Sequence, residues 1–338
     1  MDLNIIWYIL VGVLFTGYAV LDGFDLGVGA LHLFVKKDEE RRLMLNAIGP
    51  VWDGNEVWLV TGGGALFAAF PEAYATVFSG FYLPFMALLL CLIFRAVSIE
   101  FRSKERWTWW RRMWDVAFSL SSVFAAFLIG VTMGNIVLGV PLDQDHEFTG
   151  TVLGLLNPYS LFLGLTTVLL FAMHGAIYVV MKTEGGLQQK IRSWIPLLIG
   201  LFIGSYLLFN AYTLLAVEWV PKKLLERPWV ALVVILNAAV VLNILRENRL
   251  GREFSAFLSS CAGMVLMMAT FGLTYFPHMV RSNPVEANSL TIFNAASTDK
   301  TLGIMLTIAL IGVPAVLAYT ACIYYIFRGK VRITPQSY

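Results

Sequence analysis

Charged side chains are scarce in this sequence. Asp, Glu, Lys and Arg make up 14% of the 338 residues, hydrophobic residues make up 58%, and the mean hydropathy is +0.73. Soluble domains carry roughly 25% charged residues, so the composition excludes a soluble enzyme or binding domain. The net charge is only +2 and the basic residues are dispersed, which also argues against a nucleic-acid-binding protein.

Cysteine and histidine are scarce as well. The three cysteines, Cys91, Cys261 and Cys322, fall in separate hydrophobic runs and lack the paired spacing of zinc, iron–sulfur or redox motifs. Haem iron inside a helical bundle needs facing His or Met ligands, and of the four histidines only His174 lies in the middle of a run. We interpret His174 as a hydrogen-bonded core residue. The residues alone therefore predict neither a metal site nor a cofactor site in this chain.

Long hydrophobic runs account for most of the chain. A helix needs about 20 residues to cross the hydrocarbon core of a membrane. Such runs lie near residues 5–35, 43–70, 74–101, 115–140, 159–181, 195–217, 229–245, 255–279 and 304–328. Because backbone groups in lipid must be satisfied within the segment, these runs are predicted to be helices. The fold class is therefore an all-α integral membrane protein, one domain over residues 1–338 with about nine transmembrane helices.

The distribution of basic residues predicts the orientation of this bundle. Of the 24 Lys and Arg residues, 18 fall in five predicted segments on one side of the membrane, 5 fall on the other, and Arg95 lies inside a span. Cytoplasmic loops are enriched in Lys and Arg. The N-terminus is therefore expected outside and the C-terminus in the cytoplasm, which agrees with an odd number of spans.

Four carboxylic acids lie inside the first two hydrophobic runs, where charge is costly and usually functional. With 1.5 Å of rise per residue, counted from the nearest basic loop residue, Asp25 and Asp53 lie about 16 Å deep. Asp22 and Glu56 lie about 21 Å deep by the same count. If the two spans are antiparallel neighbours, the acids form two layers, Asp25 with Asp53 and Asp22 with Glu56. Within each helix the i, i+3 spacing keeps both acids on one face.

The third run adds Arg95, about 10 Å deep, and Glu100 near the cytoplasmic mouth. Burial and mutual repulsion disfavour full ionisation of four carboxylates, so the group is expected to hold some protons and Arg95 to neutralise one acid. These residues outline a route from Glu100 past Arg95 to the two acidic layers. Three interpretations remain open: a proton path, buried structural ion pairs, and coordination of an ion or substrate by a broken span.

Several motifs resemble a known family. They include LDGFDLGVG at residues 21–29, WDGNEVWLVTGGGALFAAFP at 52–71, FRSK at 101–104, RRMWD at 111–115 and SLTIFNAAS at 289–297. These segments look like subunit II of the cytochrome bd-type quinol oxidases. The resemblance covers most of the chain and is most specific in the block at 52–71.

The resemblance implies a bacterial cytoplasmic-membrane enzyme that oxidises quinol and reduces O₂ to water. In that family haem b and haem d belong to subunit I. Subunit II is haem-free, forms a pseudo-symmetric pair with subunit I, supports its assembly, and contacts lipids and small single-span subunits. The resemblance also implicates Asp25 and Asp53 in proton delivery, with Asp22, Glu56, Arg95 and Glu100 in support. The alternatives are a proton-coupled secondary transporter and a purely structural scaffold.

Overall fold

The computed structural model describes residues 2–333 and shows an α-helical bundle. The twelve α-helices of the described residues are α1 (Leu3–His32), α2 (Asp38–Ile48), α3 (Trp52–Ala69), α4 (Pro71–Gly80), α5 (Tyr82–Phe101), α6 (Thr108–Leu138), α7 (Pro158–Lys182), α8 (Gly185–Ala216), α9 (Trp219–Glu226), α10 (Val230–Arg249), α11 (Glu253–Tyr275) and α12 (Asp299–Ile326). A short antiparallel pair, β1 (His278–Val280) and β2 (Leu290–Thr291), lies between α11 and α12. The all-α membrane fold predicted from the hydrophobic runs is confirmed.

Eight of these helices are long and apolar enough to cross a membrane, and each overlaps one of the predicted spans. The remaining predicted span, near 43–70, is divided between α2 and α3. Gly49 and Pro50 interrupt it, because proline lacks the backbone N–H that a helix interior requires. The third predicted span is divided in the same way, with α4 ending before Phe81 and α5 following it. The helices also extend past several predicted spans, most clearly α8, since a helix continues beyond its apolar part.

Helix α7 occupies the centre of the bundle and packs against α1, α6 and α8. Its contact with α1 is a backbone contact between Gly27 and Gly175. A Cβ atom built on Gly27 would lie 1.8 Å from the Phe171 carbonyl oxygen, and one on Gly175 would lie 2.4 Å from the Gly27 carbonyl carbon. Small residues allow this close approach in membrane bundles. The contact fixes the position of α1, which carries two of the acids.

The five segments that hold most basic residues lie at one end of the bundle, which we call the basic end. Ion pairs join segments that are distant in sequence, namely Arg102 with Asp38, Lys190 with Glu40, and Arg192 and Lys330 with Glu253. At the opposite end, the loop after α6 pairs with the segment before β2, as Val140 N–H donates to the Arg281 carbonyl. The grouping of basic segments predicted from the sequence is therefore present in the fold.

Helix α12 is held mainly at its two ends. Near its start, Trp7 Nε1 donates to the Leu302 carbonyl at 3.0 Å. Beyond its last turn, Lys182 Nζ donates to the carbonyls of Phe327 and Gly329, which binds the end of α12 to α7. Between these points most α12 side chains are exposed and apolar. The middle of α12 therefore has little packing within the chain.

Candidate functional site

A fully buried arginine joins three helices in the interior of the bundle. Arg95 of α5 donates from Nη1 and Nη2 to the two carboxylate oxygens of Asp22 on α1, at 2.7 Å and 2.5 Å. Both side chains are 0% exposed. Glu56 of α3 adds a charge contact, with Oε1 3.0 Å from Arg95 Nη2, in a geometry other than that of a hydrogen bond. The predicted layer of Asp22 and Glu56 is therefore present, with Arg95 between the two acids.

Asp25 lies one turn from Asp22 on α1 and is equally buried. Its Oδ2 accepts a hydrogen bond of 2.7 Å from Asn55 Nδ2 on α3, while its Oδ1 has no hydrogen-bond partner among the described residues. Asn55 also donates to the Leu21 carbonyl at 3.2 Å and accepts from the Tyr324 hydroxyl at 2.9 Å. The acid on α1 is thus held by an amide on α3, which is held in turn by α12.

The predicted layer of Asp25 with Asp53 is wrong. Asp53 lies exposed on the outer face of α3, and Asn55 takes its place beside Asp25. Successive residues of an α-helix are turned by about 100°, so residues 53 and 55 point in nearly opposite directions. Glu56 lies between the two faces, with 22% of its side chain exposed. The acids therefore extend across α3, from buried Asp25 to the outer surface, rather than stacking between α1 and α3.

Charge is not balanced inside this cluster. Arg95 supplies one positive charge for the carboxyl groups of Asp22, Asp25 and Glu56, and its hydrogen bonds go to Asp22 alone. A bidentate pair of this kind compensates two opposite charges in a low-dielectric interior. Within the described part of the chain, no cation is therefore bonded to Asp25, which makes it a candidate for proton exchange.

Glu100 does not join this cluster by a direct contact. It is half-buried at the end of α5, and no hydrogen bond or ion pair links its carboxylate to another described residue. The predicted step from Glu100 to Arg95 is therefore not a continuous hydrogen-bonded chain within the described residues.

A second buried charge cluster, centred on Asp115, was missed by the sequence analysis. Asp115 of α6 accepts from Arg102 Nε at 2.5 Å and from Arg41 Nη1 at 2.8 Å, and its Oδ1 lies 2.5 Å from His32 Nε2. Arg102 also pairs with Asp38. The motifs RRMWD and FRSK contain Asp115 and Arg102, so the sequence does show two members of this cluster. Both residues lie at the ends of hydrophobic runs, where a charge is expected at the membrane surface. The cluster ties α1, α2, α5 and α6 together at the basic end.

Two of the four histidines, His174 and His32, are engaged by other side chains inside the bundle. His174 is fully buried, with Nδ1 2.7 Å from Ser260 Oγ and Nε2 3.0 Å from the Val20 carbonyl, so both ring nitrogens are engaged. His32 is equally buried and committed to Asp115. On β1, burial and then the Arg281 guanidinium lower the pKa of His278. Among the described residues, no three His, Cys, Asp or Glu side chains are grouped to hold a metal ion.

Comparison with known proteins places this arrangement in a family. The model of the cytochrome bd terminal oxidase subunit II family matches residues 3–327. The chain belongs to that family. It is similar to cytochrome bd-I ubiquinol oxidase subunit 2 of Escherichia coli (strain K12), with 34% identity over 97% of this chain and 95% of the relative. It is 36% identical to cytochrome bd ubiquinol oxidase subunit 2 of Bacillus subtilis (strain 168), over 100% of this chain and 99% of the relative.

A solved structure of the bd oxidase from Geobacillus thermodenitrificans has the same fold. The match has a TM-score of 0.81 at 16% identity and covers 97% of this chain and 99% of the other. The resemblance read from the motifs is thus confirmed. As a cytochrome bd terminal oxidase subunit II, the chain is one multi-pass membrane subunit of a haem-containing enzyme complex, and at least one further subunit is implied.

Proposed function

We propose that this chain is the haem-free second subunit of an oxidase that oxidises quinol and reduces O₂ to water, and that its carboxylates pass protons towards the partner subunit. The observation that carries this proposal is the line of acids across α3. It begins at buried Asp25 and Asp22, continues at half-buried Glu56, and ends at exposed Asp53. Reduction of O₂ to water consumes protons. A line of carboxylates that ends on the surface facing the partner could deliver those protons to it.

Each acid has a different role along this line. Asp25, which is bonded to no cation among residues 2–333, takes up and releases a proton. Arg95 binds both carboxylate oxygens of Asp22 and holds Glu56 nearby. Glu56 and Asp53 are spaced i, i+3 on α3, so the two carboxylates are neighbours on the helix surface. A proton that reaches Glu56 can therefore pass to Asp53 and leave the chain at the outer face of α3.

The outer face of α3 is the proposed contact with the haem-bearing subunit I. Asp53 is exposed there, and a Cβ on Gly54 or Gly64 would meet no other described residue within 4 Å apart from the neighbouring backbone of α3 itself. Lipid cannot solvate a carboxylate, whereas a protein partner can supply a hydrogen-bond donor. Exposed glycines also permit a close helix approach. Subunit I would carry haem b and haem d, and this chain would support its assembly. Lipids and small single-span subunits would cover the remaining apolar faces.

We place the basic end in the cytoplasm of a bacterium and the N-terminus outside the cytoplasmic membrane. Support comes from the five basic segments, which meet at one end of the bundle as the positive-inside rule requires. Glu100 lies at this end, so it is close to the side from which protons would enter. A water molecule between Glu100 and the Arg95 cluster would complete the entry path.

Neutralising Asp53 tests the proposal. In the purified complex, Asp53→Asn should lower the rate of oxygen consumption on the order of 100-fold, the lower end of what a proton-transfer group contributes. The haem content, measured from the absorbance spectrum, should stay unchanged. The matched control is Asp145→Asn, which neutralises an exposed acid in the loop after α6. This control should retain full turnover.

Other outcomes separate this proposal from its alternatives. Full turnover of Asp53→Asn with a complete haem complement would contradict the relay role and leave a structural subunit. Loss of haem would assign Asp53 to assembly instead. Purification of the chain without any haem-bearing protein would favour a transporter, for which the break between α2 and α3 would be the substrate site.

A further inference from the structure

We propose that Asn55 and Tyr324 are positioning residues for Asp25: Tyr324 fixes the orientation of the Asn55 amide, which holds the Asp25 carboxyl group for proton exchange. This inference rests on the proposed proton-transfer function. It adds two residues from α3 and α12 that the acidic pattern of the sequence does not reveal. Neither residue carries the proton in this scheme.

The hydrogen bonds of Asn55 are complete. Its Nδ2 has two N–H donors, one for Asp25 Oδ2 at 2.7 Å and one for the Leu21 carbonyl at 3.2 Å. Its Oδ1 accepts from the Tyr324 hydroxyl at 2.9 Å. A side-chain amide offers two donors and one carbonyl acceptor. Every polar group of the Asn55 side chain is therefore engaged, although the residue is buried.

These partners favour one orientation of the amide while the Asp25 carboxyl group is ionised. If the amide were turned by 180°, its carbonyl oxygen would face the Asp25 carboxyl oxygen and the Leu21 carbonyl, which are both acceptors. Its NH₂ group would then face Tyr324. The Tyr324 O–H favours the observed orientation, because it supplies the donor that Oδ1 requires. Without that hydroxyl, the buried Oδ1 would be left unsatisfied, at a cost comparable to a lost hydrogen bond.

The orientation of Asn55 determines which oxygen of Asp25 is free. Asn55 occupies Oδ2, whereas Oδ1 has no partner among the described residues although Asp25 is fully buried. Charged groups face Asp25 from three helices, namely Asp22 on its own helix, Glu56 on α3 and Arg95 on α5. Tyr178 of α7 and Tyr324 of α12 complete its titratable surroundings. Asn55 thus holds one oxygen of Asp25 and leaves Oδ1 as the atom that gains and loses the proton.

Infrared difference spectroscopy of the purified complex tests this inference. A carboxyl band of Asp25 should be identified first, as the band that disappears in Asp25→Asn. In Tyr324→Phe, which removes only the hydroxyl, this band should move to higher frequency because its hydrogen bond is weaker. Oxygen consumption should fall by up to roughly tenfold, the upper end of what one hydrogen bond between neutral groups contributes. The haem content should not change.

The next residue in the sequence provides the control. Tyr325 is exposed on α12, so Tyr325→Phe makes the same chemical change away from Asn55 and should leave the band and the turnover unchanged. Asn55→Ala removes the donor itself and should move the band further than Tyr324→Phe. An unmoved band in both Tyr324→Phe and Asn55→Ala would overturn the positioning role. If instead no carboxyl band disappears in Asp25→Asn and its turnover is normal, the proposed relay function fails.

Discussion

At the scale of the residue, Arg95 dominates the electrostatics of the site. A buried arginine with a bidentate carboxylate is stable only as a pair, because removal of one partner leaves an uncompensated charge in a low-dielectric interior. The pair of Arg95 and Asp22 is fully buried and has no contact with solvent. The same pair fixes the spacing of α1 and α5, so a change at Arg95 affects both stability and the acid line.

Arg95→Gln should destabilise the complex by about 3–5 kcal/mol, because it leaves the Asp22 carboxylate buried without its counter-ion. The measurement is the thermal unfolding midpoint of the detergent-solubilised complex. Arg106→Gln, a neutralisation at an exposed position of the basic end, is the matched control and should change the midpoint little. Equal midpoints for the two variants would show that Arg95 does not stabilise the bundle.

The sequence predicted the depth of the acids in the bundle better than it predicted the side chains they contact. Depth follows from rise along the helix, so the count correctly put Asp22 level with Glu56. The same count put Arg95 about 11 Å shallower than these two acids, although its guanidinium contacts both. The direction of a side chain depends on rotation about the helix axis. Polar residues occur on both faces at the start of α3, so its pattern gives no preferred face. For this reason the sequence could not predict that Asn55, and not Asp53, lies beside Asp25.

At the scale of the element, the contact between α1 and α7 places the site. Gly27→Ala should destabilise the bundle by about 1–3 kcal/mol or prevent its assembly, since the new methyl group would overlap the backbone of α7. The yield of haem-containing complex and its unfolding midpoint measure the effect. Gly12→Ala on the same helix is the control, because a Cβ at Gly12 meets no other atom of the chain within 4 Å. Normal assembly of Gly27→Ala would contradict the close backbone contact.

The hydrophobic runs predicted the helices but not the break between α2 and α3. A run of apolar residues reports burial in lipid, and it does not report a local change of direction. The break is encoded by Gly49 and Pro50, which disrupt helical hydrogen bonding inside a run that is otherwise continuous. The break turns the start of α3 so that Asn55 faces α1.

The Asp115 cluster could not be predicted for a related reason. His32, Arg41 and Asp115 lie on three different helices, and the sequence does not show how those helices pack against each other.

At the scale of the whole molecule, the outer face of α3 should control association with the partner. Gly64→Leu adds bulk where the chain itself leaves open space, so it should not disturb the isolated fold. If a partner helix packs there, the variant should lose most of the haem-bearing subunit on affinity purification. Gly204→Leu on α8 is the matched control, because Gly204 is also exposed and open. Retention of haem by Gly64→Leu, or its loss in Gly204→Leu alone, would place the interface elsewhere.

The attachment of α12 has a consequence for synthesis of the chain. Ribosomes build proteins from the N-terminus, so α1 with Asp25 emerges before α12 with Tyr324. A nascent or prematurely terminated product lacking α12 would contain Asp25 and Asn55 without the hydroxyl that orders them. Under the proposed relay, such a product would hold Asp25 without its ordered amide and would therefore transfer protons poorly.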